Sequence, residues 1–282
     1  MFSNSSINKA YLKVGGIDCH RSIILNIPTL LRDENDINVS SKGQVNDFKL
    51  DNNIIRAKST VFQYADCNPW DYFVTLTFDK EKTDRTNIEL LHKQLTKYIS
   101  NFNAKHNCNI KYLLIPELHQ DGKNWHFHGL IHGLDTAYLL KLQIGDKMSK
   151  YQADCVRKGK TIYIWQNYEK KFGFCHLEPI QNQNAVSKYI TKYFTKDLAK
   201  SITQLNAHLY YHSRGLKKNE KIKDGILSTD IGHITDEIFN GEISSAFSNE
   251  YCKKYVFPYD EEQLELLKQC IFTESEVDYL YV

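Results

Sequence analysis

The chain has 282 residues, of which 41% are hydrophobic and 25% charged, and its formal net charge is +2. This balance is that of a globular protein with one generous domain, or one domain carrying extensions. No run approaches the ~20 apolar residues of a membrane span, and the opening MFSNSSINKAYLKVGG has no apolar core segment, so the expectation is a soluble protein of the bacterial or host-cell cytoplasm. Seven cysteines (Cys19, Cys67, Cys108, Cys155, Cys175, Cys252, Cys270) lack any C-x-x-C spacing, which argues against a zinc knuckle or a disulfide framework.

In chain order, the first fifty residues mix short apolar runs with the polar stretch Arg32 to Gln44, and residues 1–52 read as an N-terminal extension of uncertain role. From Asn53 the residues Ile54, Val61, Phe62 and Ala65 recur at helical spacing until Asn68-Pro69. Asp71 to Asp79 (DYFVTLTFD) alternates as a half-buried strand. Thr86 and Glu89 have the spacing of a capping box, ahead of a helix whose apolar face is Ile88, Leu91, Leu95, Tyr98, Ile99 and Phe102. After a hairpin come a short helix around Thr136 to Ser149, strands over Lys160 to Gln166 and Phe172 to Ile180, a helix from Asn184 to Lys200, and a strand over Ala207 to Ser213. Residues 53–224 thus form the expected main domain, and 225–282 a C-terminal extension with an acidic helix from Asp260. The order favours an α+β fold with a central antiparallel sheet covered by helices.

The hairpin spans Tyr112 to Gly133 (YLLIPELHQDGKNWHFHGLIHG), with two strand-like runs around Asp121-Gly122-Lys123-Asn124. With the turn centred between Gly122 and Lys123, Glu117 faces His128 and His119 faces His126, and all four share one face. Opposed side chains lie within ~5 Å, close enough for both strands to hold one cation. A lone strand histidine is an ordinary surface residue. Here four of the eleven histidines fall between His119 and His132 with a carboxylate in register, which favours a metal site. Two histidines and a carboxylate leave coordination positions for water or substrate.

From Lys141 to Lys223 there are 17 Lys/Arg against 6 Asp/Glu, interleaved with Tyr151, Tyr163, Trp165, Tyr168, Tyr189, Tyr193, Tyr210 and Tyr211. Cations for phosphates and ring faces for bases suit a single-stranded nucleic acid, and Arg157, Lys158, Lys188, Arg214 and Lys217 are the candidate contacts. On the helix after Asn184, Tyr189, Lys192, Tyr193 and Lys196 share one stripe beside the core stripe of Val186, Ile190, Phe194 and Leu198. A phenol attacks poorly until its proton is removed or its charge offset, tasks a lysine and a divalent cation can share. A tyrosine attacking a phosphodiester keeps the bond energy in a phosphotyrosine, so cleavage is reversible by strand transfer.

These motifs together resemble the rolling-circle replication initiators of the HUH endonuclease superfamily. FVTLTF (Phe73 to Phe78) resembles the first family motif, His126-Phe127-His128 is the His-hydrophobic-His motif, and VSKYITKYFTK (Val186 to Lys196) matches the two-tyrosine form of the third. The resemblance covers slightly under half the chain, and its closest pattern is that of initiators from small single-stranded DNA phages and related plasmids or prophages. It implies a sheet related to the ferredoxin-like and RNA-recognition folds, with the HFH strand in the middle and the tyrosine helix facing it. It implies metal ligands His126, His128 and a polar third such as Glu117, with His119 the competitor, a Mg²⁺ or Mn²⁺ cofactor, and Tyr189 and Tyr193 as nucleophiles assisted by Lys192 and Lys196. The implied activity nicks single-stranded origin DNA or an origin hairpin, leaving a 5′-phosphotyrosine and a free 3′-OH. No G-x-x-x-x-G-K-[ST] loop occurs, so a separate helicase and host replication machinery are the expected partners. A transposase or relaxase of the same superfamily, and a non-catalytic nucleic-acid-binding module, are the alternative readings.

Overall fold

The structure, a computed structural model, describes residues 9–17, 20–28, 47–194, 208–248 and 252–273. Two compact units divide the chain: one is residues 45–217, and the other joins residues 1–44 to residues 218–282. The fold is α+β with an antiparallel sheet in each unit. No described helix is long and apolar enough to cross a membrane.

The chain opens with β1 (Lys9–Gly15) and β2 (Ser22–Pro28), an antiparallel pair that opposes Leu12 to Leu25 and Val14 to Ile23. Ala10, Leu12 and Val14 alternate inward, a period-two pattern within residues that the sequence reading assigned to no element.

The 45–217 unit begins with α1 (Asp47–Asp66), β3 (Tyr72–Thr77), α2 (Ile88–His106), β4 (Lys111–Leu118) and β5 (Trp125–His132). It continues through β6 (Leu139–Lys141), α3 (Lys150–Arg157), β7 (Tyr163–Trp165), α4 (Gln166–Lys171), β8 (Cys175–Pro179), α5 (Gln183–Ile190) and β9 (Tyr211–His212). The strand order is β6-β7-β8-β3-β5-β4-β9. Its inner four, β8-β3-β5-β4, have the 4-1-3-2 arrangement of a ferredoxin-like sheet, with the HFH strand β5 between β3 and β4.

Each strand divides its residues between two environments. Tyr72, Val74 and Leu76 of β3 and Trp125 and Phe127 of β5 are buried on one face, where Ile88, Leu91, Leu95, Ile99 and Phe102 of α2 also lose their exposure. The other face carries Phe73, Thr75, His126 and His128, all partly exposed. Burying a Leu or Phe side chain contributes roughly 1.5–3 kcal/mol, so the apolar alternation fixes which face the histidines take. Gly129 follows the HFH motif because the β4 backbone passes against it: a Cβ there would fall on the Leu113 carbonyl oxygen.

The other unit is completed by β10 (Glu220–Leu227), β11 (Ser245–Ser248), β12 (Cys252–Pro258), α6 (Glu261–Gln269) and β13 (Ile271–Phe272), in the sheet order β11-β12-β2-β1-β10-β13. The acidic helix is present as α6, capped by Asp260 and burying Leu264 and Leu267.

Several local expectations are corrected. The cap of α2 is Asn87, whose side chain accepts from the Leu90 N–H, while the Thr86 hydroxyl donates to Asp84; one residue's difference in where the helix starts takes Thr86 and Glu89 out of capping register. In place of a helix over Thr136 to Ser149, the chain makes a 3₁₀ turn at Thr136–Tyr138 and the strand β6. The helix lies just beyond, in α3, where Ser149 and Gln152 form a true capping box. The strand expected over Lys160 to Gln166 shortens to β7 because α4 starts at Gln166.

Candidate metal centre and tyrosine cleft

The hairpin pairs Glu117 with His126 and Ile115 with His128, a register two residues away from the one expected. The Asp121 carboxylate accepts the N–H groups of Lys123 and Asn124, Gly122 takes φ +69°, and the His119 N–H donates to the Asn124 carbonyl. These bonds centre the loop between Asp121 and Gly122. A slip of two keeps every side chain on its face, so Glu117, His126 and His128 still converge, with His128 the diagonal neighbour of Glu117.

Glu117 Oε2 lies 2.8 Å from His126 Nε2 and 2.7 Å from His128 Nε2, and the two Nε2 atoms are 2.9 Å apart. His128 Nδ1 sits 3.1 Å from the Thr75 hydroxyl oxygen. When Nδ1–H donates to Thr75, Nε2 is left with a bare lone pair aimed at Glu117 and His126. Three lone pairs meeting in this way need a positive charge at their centre, so the donor set fits a divalent cation. Hydrogen bonds from His126 and then His128 hold the Glu117 carboxyl well below its ordinary range, and burial is the main cause lowering the His128 pKa. Both shifts favour the ligand forms, carboxylate and neutral imidazole. Among the described residues this trio is the group able to hold a metal ion. His119 points elsewhere: its Nδ1 is 3.6 Å from Asp121, and its ring centre is 6.1 Å from that of His126.

The tyrosines reach the same place from α5. Asn182 caps this helix by accepting from the Ala185 N–H, and Val186 and Ile190 are buried. The helix expected to run to Lys200 instead stops after Ile190: the Thr191 hydroxyl donates to the Lys188 carbonyl, and Thr191–Tyr193 tighten into a 3₁₀ turn. Tyr193 thereby stacks on His128, with ring centres 4.4 Å apart and planes 20° from parallel. Tyr189 meets Tyr193 edge-on at 6.0 Å, and Phe73 lies against both phenols at 5.4 and 6.0 Å. Burial, followed by its hydrogen bond with Tyr189, pushes the Tyr193 phenol well above its ordinary value. Tyr189 is 44% exposed, and Lys192 Nζ sits 5.0 Å over its ring centre rather than at its oxygen. Lys196 and Leu198 lie outside the described residues.

Residues 71–198 match the family model of the replication-associated protein ORF2. The match begins just before β3 and takes in the metal trio and both tyrosines, and it supports a replication-initiator family and a role in DNA replication. No curated protein and no solved structure matches the chain.

The candidate DNA contacts are dispersed. Arg157, at the end of α3, pairs with Asp154 at 2.8 Å, and Lys158 is the C-cap of the same helix. Lys188 is exposed on α5, one residue before Tyr189. The backbone of Lys217 is held by the Asn68 side chain through two bonds of 2.9 Å. Arg214 lines a separate groove of about 770 Å³ beside β9, with Lys111, His92 and Tyr211. The tyrosine cleft, about 650 Å³, is lined instead by residues that sequence reasoning passed over: Phe73, Thr75, Tyr151, Lys160, His176 and Glu178. One signal for them was available, since His176 and Glu178 stand two apart on a strand and must share a face.

Proposed function

We propose that the chain is a rolling-circle replication initiator that nicks single-stranded origin DNA by tyrosine transesterification. The observation that carries this reading is the meeting, in one cleft, of His128 from the metal trio with Tyr189 and Tyr193. In the reaction a tyrosine oxygen bonds to the scissile phosphorus, the bond from phosphorus to the 3′ oxygen breaks, and the phenol proton ends on the released 3′-OH. The 5′ phosphate stays on the tyrosine, and attack by a 3′-OH reverses the step. Glu117, His126 and His128 would hold Mg²⁺ or Mn²⁺, which when bound polarises the phosphoryl oxygen and steadies the leaving oxygen. Tyr193 is placed by its stacking on His128, and Phe73 is the shared wall that keeps both phenols in the cleft. Lys192 favours charge on Tyr189 through the ring face, and Lys188 is placed to meet phosphate beside it. Unwinding falls to a separate helicase.

The test is incubation of the chain with single-stranded DNA and Mn²⁺, followed by a denaturing gel. A covalent protein–DNA band that disappears in the Tyr189→Phe/Tyr193→Phe double variant is expected. Its absence from the unaltered chain across a randomised DNA pool would leave a non-catalytic binding module as the better account.

A further inference from the structure

The tyrosine cleft continues to a second polar group that the metal centre does not use. His176 and Glu178 of β8 stand opposite Thr75 and Phe73 of β3. His176 Nε2 is 2.9 Å from Glu178 Oε1, and Lys160 Nζ is 3.1 Å from Oε2. The His176 bond, aided by Lys160 and opposed by partial burial, keeps the Glu178 carboxyl below its ordinary range. The His176 side chain is only 4% exposed and its Nδ1 has no partner, so the ring serves to fix the carboxylate. Beside this fixed acceptor stand two exposed rings, Tyr151 and Phe174.

A carboxylate here repels phosphate, so its natural counterpart on a nucleic acid is a base edge that donates hydrogen bonds. The cleft volume is within the range of sites that enclose a ligand of nucleotide size. We propose that Glu178 and Lys160 form a base-reading subsite for one unstacked nucleotide of the single strand beside the scissile phosphodiester, with guanine as the preferred base. The inference rests on the single-stranded DNA reading above. Guanine presents two adjacent N–H donors next to a carbonyl on its Watson–Crick edge. The lone pairs that Glu178 does not spend on His176 and Lys160 accept the two donors, and the remaining Lys160 protons meet the carbonyl. Adenine and cytosine offer the carboxylate one donor position each. Thymine offers a single donor flanked by two carbonyls, one of which would face the carboxylate. Tyr151 and Phe174 supply faces for the ring.

The experiment measures binding of the full chain to a short labelled oligothymidylate with and without one guanine, by fluorescence anisotropy without added metal. A preference for the guanine-containing strand of about tenfold or more is expected, the scale of a bidentate base contact. Glu178→Gln and Lys160→Met should each reduce it to near unity while affinity for plain oligothymidylate changes much less. Equal affinity of the unaltered chain for both strands, or a preference that survives both substitutions, overturns the subsite. Adduct formation on the same strands with Mn²⁺ is read in parallel. If no adduct forms while the guanine preference and its loss are seen, the nicking reading fails and the subsite stands.

Discussion

Replacing Thr75 by Val tests whether the first-motif strand serves the metal centre. The substitution keeps a β-branched shape in the middle of β3, so strand geometry and packing change little. It removes the hydroxyl that lies 3.1 Å from His128 Nδ1. Two penalties follow. A partly buried N–H left without an acceptor costs roughly 1–3 kcal/mol, and His128 can escape it only by moving its proton to Nε2, the atom needed for the metal. Since about 1.4 kcal/mol is a tenfold change in equilibrium, the expected loss of Mn²⁺ affinity is roughly ten- to a hundredfold. Calorimetric Mn²⁺ titration measures it, with the thermal midpoint recorded for both proteins. Thr75→Ser, which restores the acceptor, should recover most of the affinity. If Thr75→Val binds Mn²⁺ within about twofold of the unaltered chain, or if Ser fails to rescue, the hydroxyl does not set the His128 tautomer and the assignment is wrong.

The remaining expectations concern ligands, pH, salt and nucleophiles. His126→Ala or His128→Ala should abolish adduct formation while leaving single-strand binding largely intact, and joint loss of binding and folding would instead make the histidines structural. Burial depresses the His128 pKa, and the two histidines depress that of Glu117. The unfolded chain therefore binds more protons than the folded one below about pH 6.5, and both metal affinity and folding stability should hold above that value and fall as pH drops through the depressed range. Titrations at stepped pH check the sign, and tighter Mn²⁺ binding in acid would refute it. Strand binding should weaken with salt, each phosphate contact adding about 0.7 to the logarithmic slope; reversals at Lys158 and Lys217 should flatten it, and Arg157→Glu less so because Arg157 already pairs with Asp154. Tyr189→Phe and Tyr193→Phe should each retain some adduct and the double variant none. A fully active Tyr193→Phe would make Tyr193 a packing residue, and a fully active Tyr189→Phe would leave Tyr193 as the single nucleophile.

What the sequence made legible follows the size of the energies involved. The α2 stripe of Ile88, Leu91, Leu95, Ile99 and Phe102 was readable because five buried side chains enforce one period. The β1 and β2 strands were not, since seven-residue runs such as KAYLKVG have little pattern until their partners β10 and β12 are known. The end of α5 was missed for a related reason. Val186, Ile190 and Phe194 keep a helical spacing and are all buried, yet one Thr191 hydroxyl bond and a 3₁₀ turn suffice to end the α-helix between the last two.

The metal trio survived an error in register because a strand has a period of two. Centring the turn one residue too late exchanges the partners of Glu117 but cannot move Glu117, His126 or His128 to the other face. A shift of one pairing position would have turned Phe127, fully buried, toward solvent and put His126 and His128 into the core, at a cost of several kcal/mol from Phe127 and the unpaired imidazoles together. The hydrophobic residue between the two histidines thus guards the site. No such parity constrains the basic residues: Arg157, Lys158, Lys188, Arg214 and Lys217 each satisfy solvent wherever the backbone leaves them, and a surplus of charge in the sequence marks a partner without marking a groove. Lys160 differs because Glu178 holds it, and Glu178 is held in turn by a buried His176. A polar residue becomes placeable from sequence when another residue at fixed strand spacing limits where it can go, which is why the candidate site was easier to assemble on β5 and β8 than on any loop.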